Sequence, residues 1–228
     1  MSAFDGFPPQ LFTFFEGLEK DNSKEYWTAH KSIWDKSVRE PMLALFAELD
    51  DEFPALRLFR PNRDLRFSTD KSPYKLWVGG VSDSGGGGAS YYLRVQASGL
   101  ATGCGAMAMA PDQLVRFRAS IDDDSSGRRF ADLTTELAAR SLPVTCGAEP
   151  PLKMVPRGYP KDHPRAEYLR WKGAVVITEC RRSDWMHTPL ALDRIRDIWR
   201  AAQPLEQWIA AHVGPTGTQP RKRAGSAR

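Results

Sequence analysis

Residues 91–110 read YYLRVQASGLATGCGAMAMA. In the first six, apolar and polar side chains alternate with the period of two that a half-buried strand requires. Ser98-Gly99-Leu100 supplies a hairpin turn, and the small residues that follow read as a returning strand, so the middle of the chain is antiparallel sheet. The same alternation occurs upstream in NRDLRFS, residues 62–68, where a strand would turn Leu65 and Phe67 inward and Asp64, Arg66 and Ser68 outward. Downstream, AVVIT at 174–178 is a third strand signal. Helical spacing takes over on both sides. Leu11, Phe14, Phe15 and Leu18 follow Pro8 and Pro9, a second helix is expected over 24–40 with His30 at its core edge, and Pro41 opens a third through Leu49. Pro111 opens another through Ile121, and RRFADLTTELAAR, residues 128–140, a further one. Residues 189–213 read as a long helix, or a pair divided at Pro204. Helices at both ends with strands between them predict an α+β fold: a central antiparallel sheet flanked by N-terminal and C-terminal helices.

The chain has 228 residues, 41% of them hydrophobic, and seven Trp, which is enough apolar surface to offset the chain entropy lost on folding. One α+β domain is expected over residues 5–213, with no internal repeat. No run of about 18 uncharged apolar residues is present, so no membrane-spanning helix is expected. The first residues, MSAFDGFPPQ, lack the basic and apolar regions of a secretory signal, which makes the cytoplasm the expected location. Cys104, Cys146 and Cys180 are odd in number and far apart, and the four histidines are scattered, so neither a disulfide framework nor a metal site is expected.

Charge is unevenly distributed. Residues 214–228 carry Arg221, Lys222, Arg223 and Arg228 and no acid, which accounts for the whole net charge of +4. This Gly- and Pro-containing end is expected to be a disordered basic tail, either solubilising or in touch with nucleic acid or acidic lipid. Within the neutral body, residues 1–56 hold five basic and eleven acidic residues, whereas 57–75 and 153–172 each hold six basic against two acidic. Either basic segment is suited to bind an anion or to pair with the acidic first quarter.

The first of them contains RPNRDLRFSTDKSPYK, residues 60–75. Asp64 and Asp70 can orient the Arg side chains while Arg63, Arg66, Lys71 and Lys75 face an anion, and Tyr74 adds a stacking face with a hydroxyl. The alternative is that the same acids satisfy the same bases around a turn at Ser72 and Pro73. The second, LKMVPRGYPKDHPR at 152–165, contributes Lys153 and Arg157, with Asp162 beside His163 as the parts of a general base. A loop-capping Asp and a surface His are the bland counterpart. No nucleophile elbow is present. GGVSDSGGGG at 79–88 lacks the GK[ST] of a phosphate loop and the strand–GxGxxG–helix order of a dinucleotide fold, so it reads as a flexible hairpin connection suited to a flap over a site.

The chain resembles the family catalogued as domain of unknown function 2461. The resemblance rests on the early Phe-rich helix, the Asn22–Trp27 region, RPNRDLRFSTDKSPYK, YYLRV, GLATGCG, LKMVPRGYPKDHPR with LRWK, and PLEQWIAAHVG, and it covers roughly residues 5–214. It implies that the charged segments belong to a recurrent pattern; it brings no reaction, cofactor or partner with it. The expected function is therefore binding of a small phosphate- or carboxylate-bearing ligand in a cleft where the two basic segments meet. Its anion contacts would be Arg63, Arg66, Lys71, Lys75, Lys153 and Arg157, oriented by Asp64 and Asp70, with His163 and Asp162 as the one proton shuttle. A nucleic-acid-binding module using the basic segments and tail, and a protein-interaction domain with purely structural salt bridges, are the alternatives.

Overall fold

The computed structural model describes residues 3–66, 69–82 and 88–217. Its strands are β1 (Leu56–Leu58), β2 (Trp77–Ser82), β3 (Ser90–Gln96), β4 (Gly99–Ala106), β5 (Val144–Thr145) and β6 (Ala174–Arg181), in the spatial order β1-β2-β3-β4-β6-β5. The sheet is antiparallel and the class is α+β, as the alternation at 91–110 implies. At the β3–β4 turn Gly99 has φ +141°, and a Cβ there would strike the Cys180 carbonyl, so glycine is required by both backbone and space.

Two expectations from the pattern change. Residues 79–82, read as the start of a flexible connection, lie inside β2, where Gly80 leaves room for the Phe46 ring and the Arg57 carbonyl. Residues 83–87 of that connection lie outside the described residues. Where a strand was expected over 62–68, residues 62–66 form a loop bridged from Asn62 to Tyr74, and Phe67 and Ser68 lie outside the described residues. The reason is local: the Asp64 and Asp70 carboxylates accept backbone N–H bonds from Arg66 (3.2 Å) and Ser72 (2.9 Å), which closes Asx turns that compete with extended pairing.

Packing groups the chain into two compact units built from discontinuous stretches. The first comprises residues 1–83, 90–104 and 177–203. It holds α1 (Pro9–Lys20), α2 (Lys24–Ala29), α3 (Lys31–Ile33), a π-helical turn (Trp34–Arg39), α4 (Glu40–Leu49) and α8 (Leu190–His212) as far as Gln203. The apolar stripe of α1 is buried through Leu11, Phe14, Phe15 and Leu18. The helix expected over 24–40 is interrupted at His30 and widens to π geometry before Pro41, because proline has no N–H for the preceding turn and its ring needs the extra space. Trp199 of α8 packs on Phe53 and Tyr91, and its Nε1 donates to Thr102 Oγ1 at 2.8 Å. Thr102 in turn donates to the Tyr92 carbonyl, so the polar atoms of this core are satisfied. Cys104 of β4 is buried there as well.

The second unit comprises residues 84–89, 105–176 and 204–228. It holds α5 (Pro111–Asp122), α6 (Asp124–Ala139), α7 (Ala166–Leu169) and α8 from Pro204, around a cluster of Phe117, Phe130 and Trp208. Asp123 caps α6 by accepting from Ser125 and Ser126 N–H, which starts that helix four residues earlier than its apolar stripe suggests. Pro204 lies inside one helix rather than between two. Residues 214–217, placed in the tail by composition, are bonded to α5: Thr216 Oγ1 and Gly217 N–H donate to Asp112, and Arg116 donates to the Pro215 carbonyl. The remainder of the basic tail, 218–228, lies outside the described residues. Among the described residues no helix is long and apolar enough to cross a membrane.

Candidate functional site

The loop at 60–77 is held at its neck by two antiparallel backbone bonds, Arg63 N–H to the Pro73 carbonyl (2.9 Å) and Lys75 N–H to the Pro61 carbonyl (2.8 Å). Asn22 then clamps Tyr74 from α1's C-terminal side, its carbonyl oxygen accepting from Tyr74 N–H and its amide donating to the Tyr74 carbonyl, each at 3.1 Å. The Tyr74 ring lies parallel to Trp27 at 4.2 Å. The stacking face expected to meet a ligand is therefore spent on the protein's own indole, and Tyr74 acts as an anchor.

On this frame Arg63, Asp64, Asp70, Tyr74 and Lys75, with Leu76 and Trp77, line one cavity of about 460 Å³. Its charges are partly matched internally. Arg63 pairs with Asp70, and Arg66 grips Asp64 through Nε (2.9 Å) and Nη2 (2.5 Å). Arg66 hydrogen bonding holds the Asp64 carboxyl well below the usual carboxylate range, and Ser72 together with Arg63 does the same for Asp70. Both acids thus stay ionised and keep the guanidinium groups in place. Lys75 differs. Its ammonium donates to the Arg60 carbonyl at 2.5 Å and the Asn62 carbonyl at 2.6 Å, lies 5.7 Å from the Trp77 ring centroid, and meets no carboxylate among the described residues. Desolvation, with Arg60 nearby, pushes its pKa down from 10.5. An ammonium has three donors, and two are used on carbonyls. Arg66 and Lys71, expected among the anion contacts, do not line the cavity; Lys71 Nζ donates to the Leu65 carbonyl at 3.3 Å instead.

Lys153, Arg157, Asp162 and His163 belong to the second unit. Lys153, Arg157 and Asp162 are exposed. The carboxylate at His163 is not its neighbour Asp162 but Asp122, at 3.3 Å from Nε2, and Nδ1 accepts from Arg165 N–H at 3.0 Å. Because Nδ1 accepts, the neutral ring carries its proton on Nε2. Both nitrogens are occupied and the side chain is 8% exposed, an arrangement that orients the ring inside the fold rather than toward a substrate. Arg165, outside the expected set, is also buried. It donates to the carbonyls of Ile121 (2.6 Å) and Asp122 (2.9 Å) and to the Asp124 carboxylate (3.1 Å). His163 and Arg165 thus fasten the corner between α5 and α6. The matching cue in the sequence is the acidic run Asp122-Asp123-Asp124, which these side chains meet.

Among the described residues no group of three or more His, Cys, Asp and Glu is placed to hold a metal ion. A family model described as a conserved hypothetical protein (DUF2461) matches residues 10–208. Comparison with curated proteins and with solved structures returned no match.

Proposed function

For a member of the DUF2461 family, as this chain is, we propose that the cavity at 60–77 binds a small anionic ligand carrying a phosphate or carboxylate group. The observation that carries this reading is Lys75. A half-buried ammonium with only neutral protein acceptors retains unneutralised positive charge, and it lies in a cavity wall next to an Arg already oriented by a carboxylate. Arg63 supplies a planar donor group and Lys75 a point charge, the usual pair for an oxyanion. Leu76, which is 39% exposed, and Trp77 offer apolar surface for the rest of the ligand.

Lys153 and Arg157 belong to the second unit and do not line this cavity, so they are left out of this proposal. His163 and Asp162 are left out of it, since the imidazole is engaged at both nitrogens. The reading is one of binding.

The test is thermal unfolding with and without inorganic phosphate. Binding to the native state alone raises the midpoint in proportion to occupancy. The wild-type shift should shrink in Lys75→Met, with circular dichroism checking that the variant is folded. An equal shift in Lys75→Met, or none in the wild type, rejects the site.

A further inference from the structure

Helices cover one face of the sheet in the first unit. Gly80, Tyr91 and Leu93 share the face that meets Phe46 and Trp199. The opposite face carries the partners Trp77↔Gln96 and Gly79↔Arg94, since residues directly across an antiparallel pair point the same way. Arg94 reaches Glu179 of β6 on this face, and Arg181 stands two residues further along the same strand.

A second cavity, of about 390 Å³, opens here between β3, β4 and β6, lined in part by Arg94, Gln96, Ser98, Glu179 and Arg181. Arg94 is incompletely satisfied. Its Nη2 bond to Glu179 is long, at 3.3 Å, that carboxylate is 75% exposed, and its Nε is buried with no acceptor. A buried donor without an acceptor is costly and rare in native proteins, and an absent polar partner is one of its ordinary explanations. Arg181 is exposed and meets no carboxylate among the described residues. Gln96 donates its amide to Ser98 Oγ at 2.7 Å, which leaves the serine O–H to point elsewhere as a donor. Two guanidinium groups and a hydroxyl against one solvent-exposed carboxylate suit an incoming oxyanion.

The β2–β3 pair carries lining residues of both this cavity and the loop cleft. Trp77 lines the cleft and sits directly across from Gln96, which lines the sheet cavity. Gly79, across from Arg94, places no side chain between them. Lys75 lies four residues before Gly79, which faces Arg94 one strand over, so the backbone at these two cationic positions is roughly 14 Å apart.

We propose that the ligand is an elongated molecule with an acidic group at each end, one held at Lys75 and Arg63 and the other at Arg94 and Arg181, with its middle lying over Trp77 and Gly79. This inference rests on the anion-binding reading of the loop cleft and adds the ligand's length and second charge. Carboxylate and phosphate ends share the same recognition chemistry, and the probes below separate them.

Isothermal titration tests it with four probes: inorganic phosphate, a long-chain α,ω-dicarboxylate, the matching α,ω-bisphosphate, and the monophosphate of the same chain. Phosphate should saturate two sites per chain, one lost in Lys75→Met and the other in Arg94→Gln. The better bis-anion should bind once per chain, at least tenfold more tightly than the monophosphate. That gain should vanish in either variant and in Arg181→Gln, whose exposed position spares the fold. A single phosphate site, lost in Lys75→Met but intact in Arg94→Gln and Arg181→Gln, overturns the inference while leaving the loop cleft standing. A bis-anion no tighter than its monophosphate overturns it too, and no phosphate binding at all removes both readings.

Discussion

Arg165 of the second unit is a 7%-exposed guanidinium bonded to three carbonyls and a carboxylate at the α5–α6 corner. Arg165→Ala strands those acceptors, and the loss of such a buried charged partner is expected to cost about 3 kcal/mol in urea unfolding. Arg165→Lys should recover part of it, because an ammonium cannot reproduce the forked contact. The acidic run is visible in the sequence but its pairing with Arg165 is not, since the partners lie 41 to 44 residues upstream. By contrast the Arg63–Asp70 and Arg66–Asp64 pairs span seven and two residues, and their roles could be read from spacing. Lys75 gives the second residue-scale prediction. Its pKa lies below 10.5, so its positive charge is fully present well below that folded-state value and is lost as pH rises through it, earlier than for an exposed lysine. Phosphate affinity measured from neutral to alkaline pH should therefore fall before 10.5 is reached, and Lys75→Arg should flatten the decline.

At the level of elements, the contrast between residues 91–96 and 62–68 is instructive. Both alternate, yet only the first is a strand. Tyr91, Leu93 and Val95 have a core face to fill, whereas Asp64 and Asp70 recruit nearby backbone N–H groups and Lys75 takes the carbonyls of Arg60 and Asn62, so the loop's hydrogen-bonding capacity is used locally. Glycine misleads in the opposite direction. Gly79 and Gly80 suggest a flexible connection, but they sit in β2 because close neighbours exclude a side chain. Gly80→Val should displace the Phe46 ring and crowd the Arg57 carbonyl, with a stability loss of about 2 kcal/mol by denaturant unfolding despite valine's better strand propensity. The helix stripes were legible because burial of Leu11, Phe14, Phe15 and Leu18 repeats at helical spacing. The π-helical turn before Pro41 was not, because periodicity alone does not distinguish a widened turn.

On the scale of the whole molecule, charge separates the binding readings. Residues 218–228 carry Arg221, Lys222, Arg223 and Arg228, the entire net charge of +4. A chain ending at residue 217 should keep its phosphate response, which depends on Lys75, while any low-salt affinity for DNA or RNA in an anisotropy titration should fall sharply, since non-specific binding scales with the cations that displace counterions. Retention of strong nucleic-acid binding by the shortened chain would favour a body surface over the tail. Cys104 adds a different handle. Its side chain is only 1% accessible in β4, whereas Cys146 and Cys180 are half-buried. In a Cys146→Ser, Cys180→Ser background, an alkylating reagent reaches the remaining sulfur only when the surrounding β-structure parts, so modification should be slow under native conditions and fast in denaturant. One atom in the interior thereby serves as a stopwatch for how often this protein breathes.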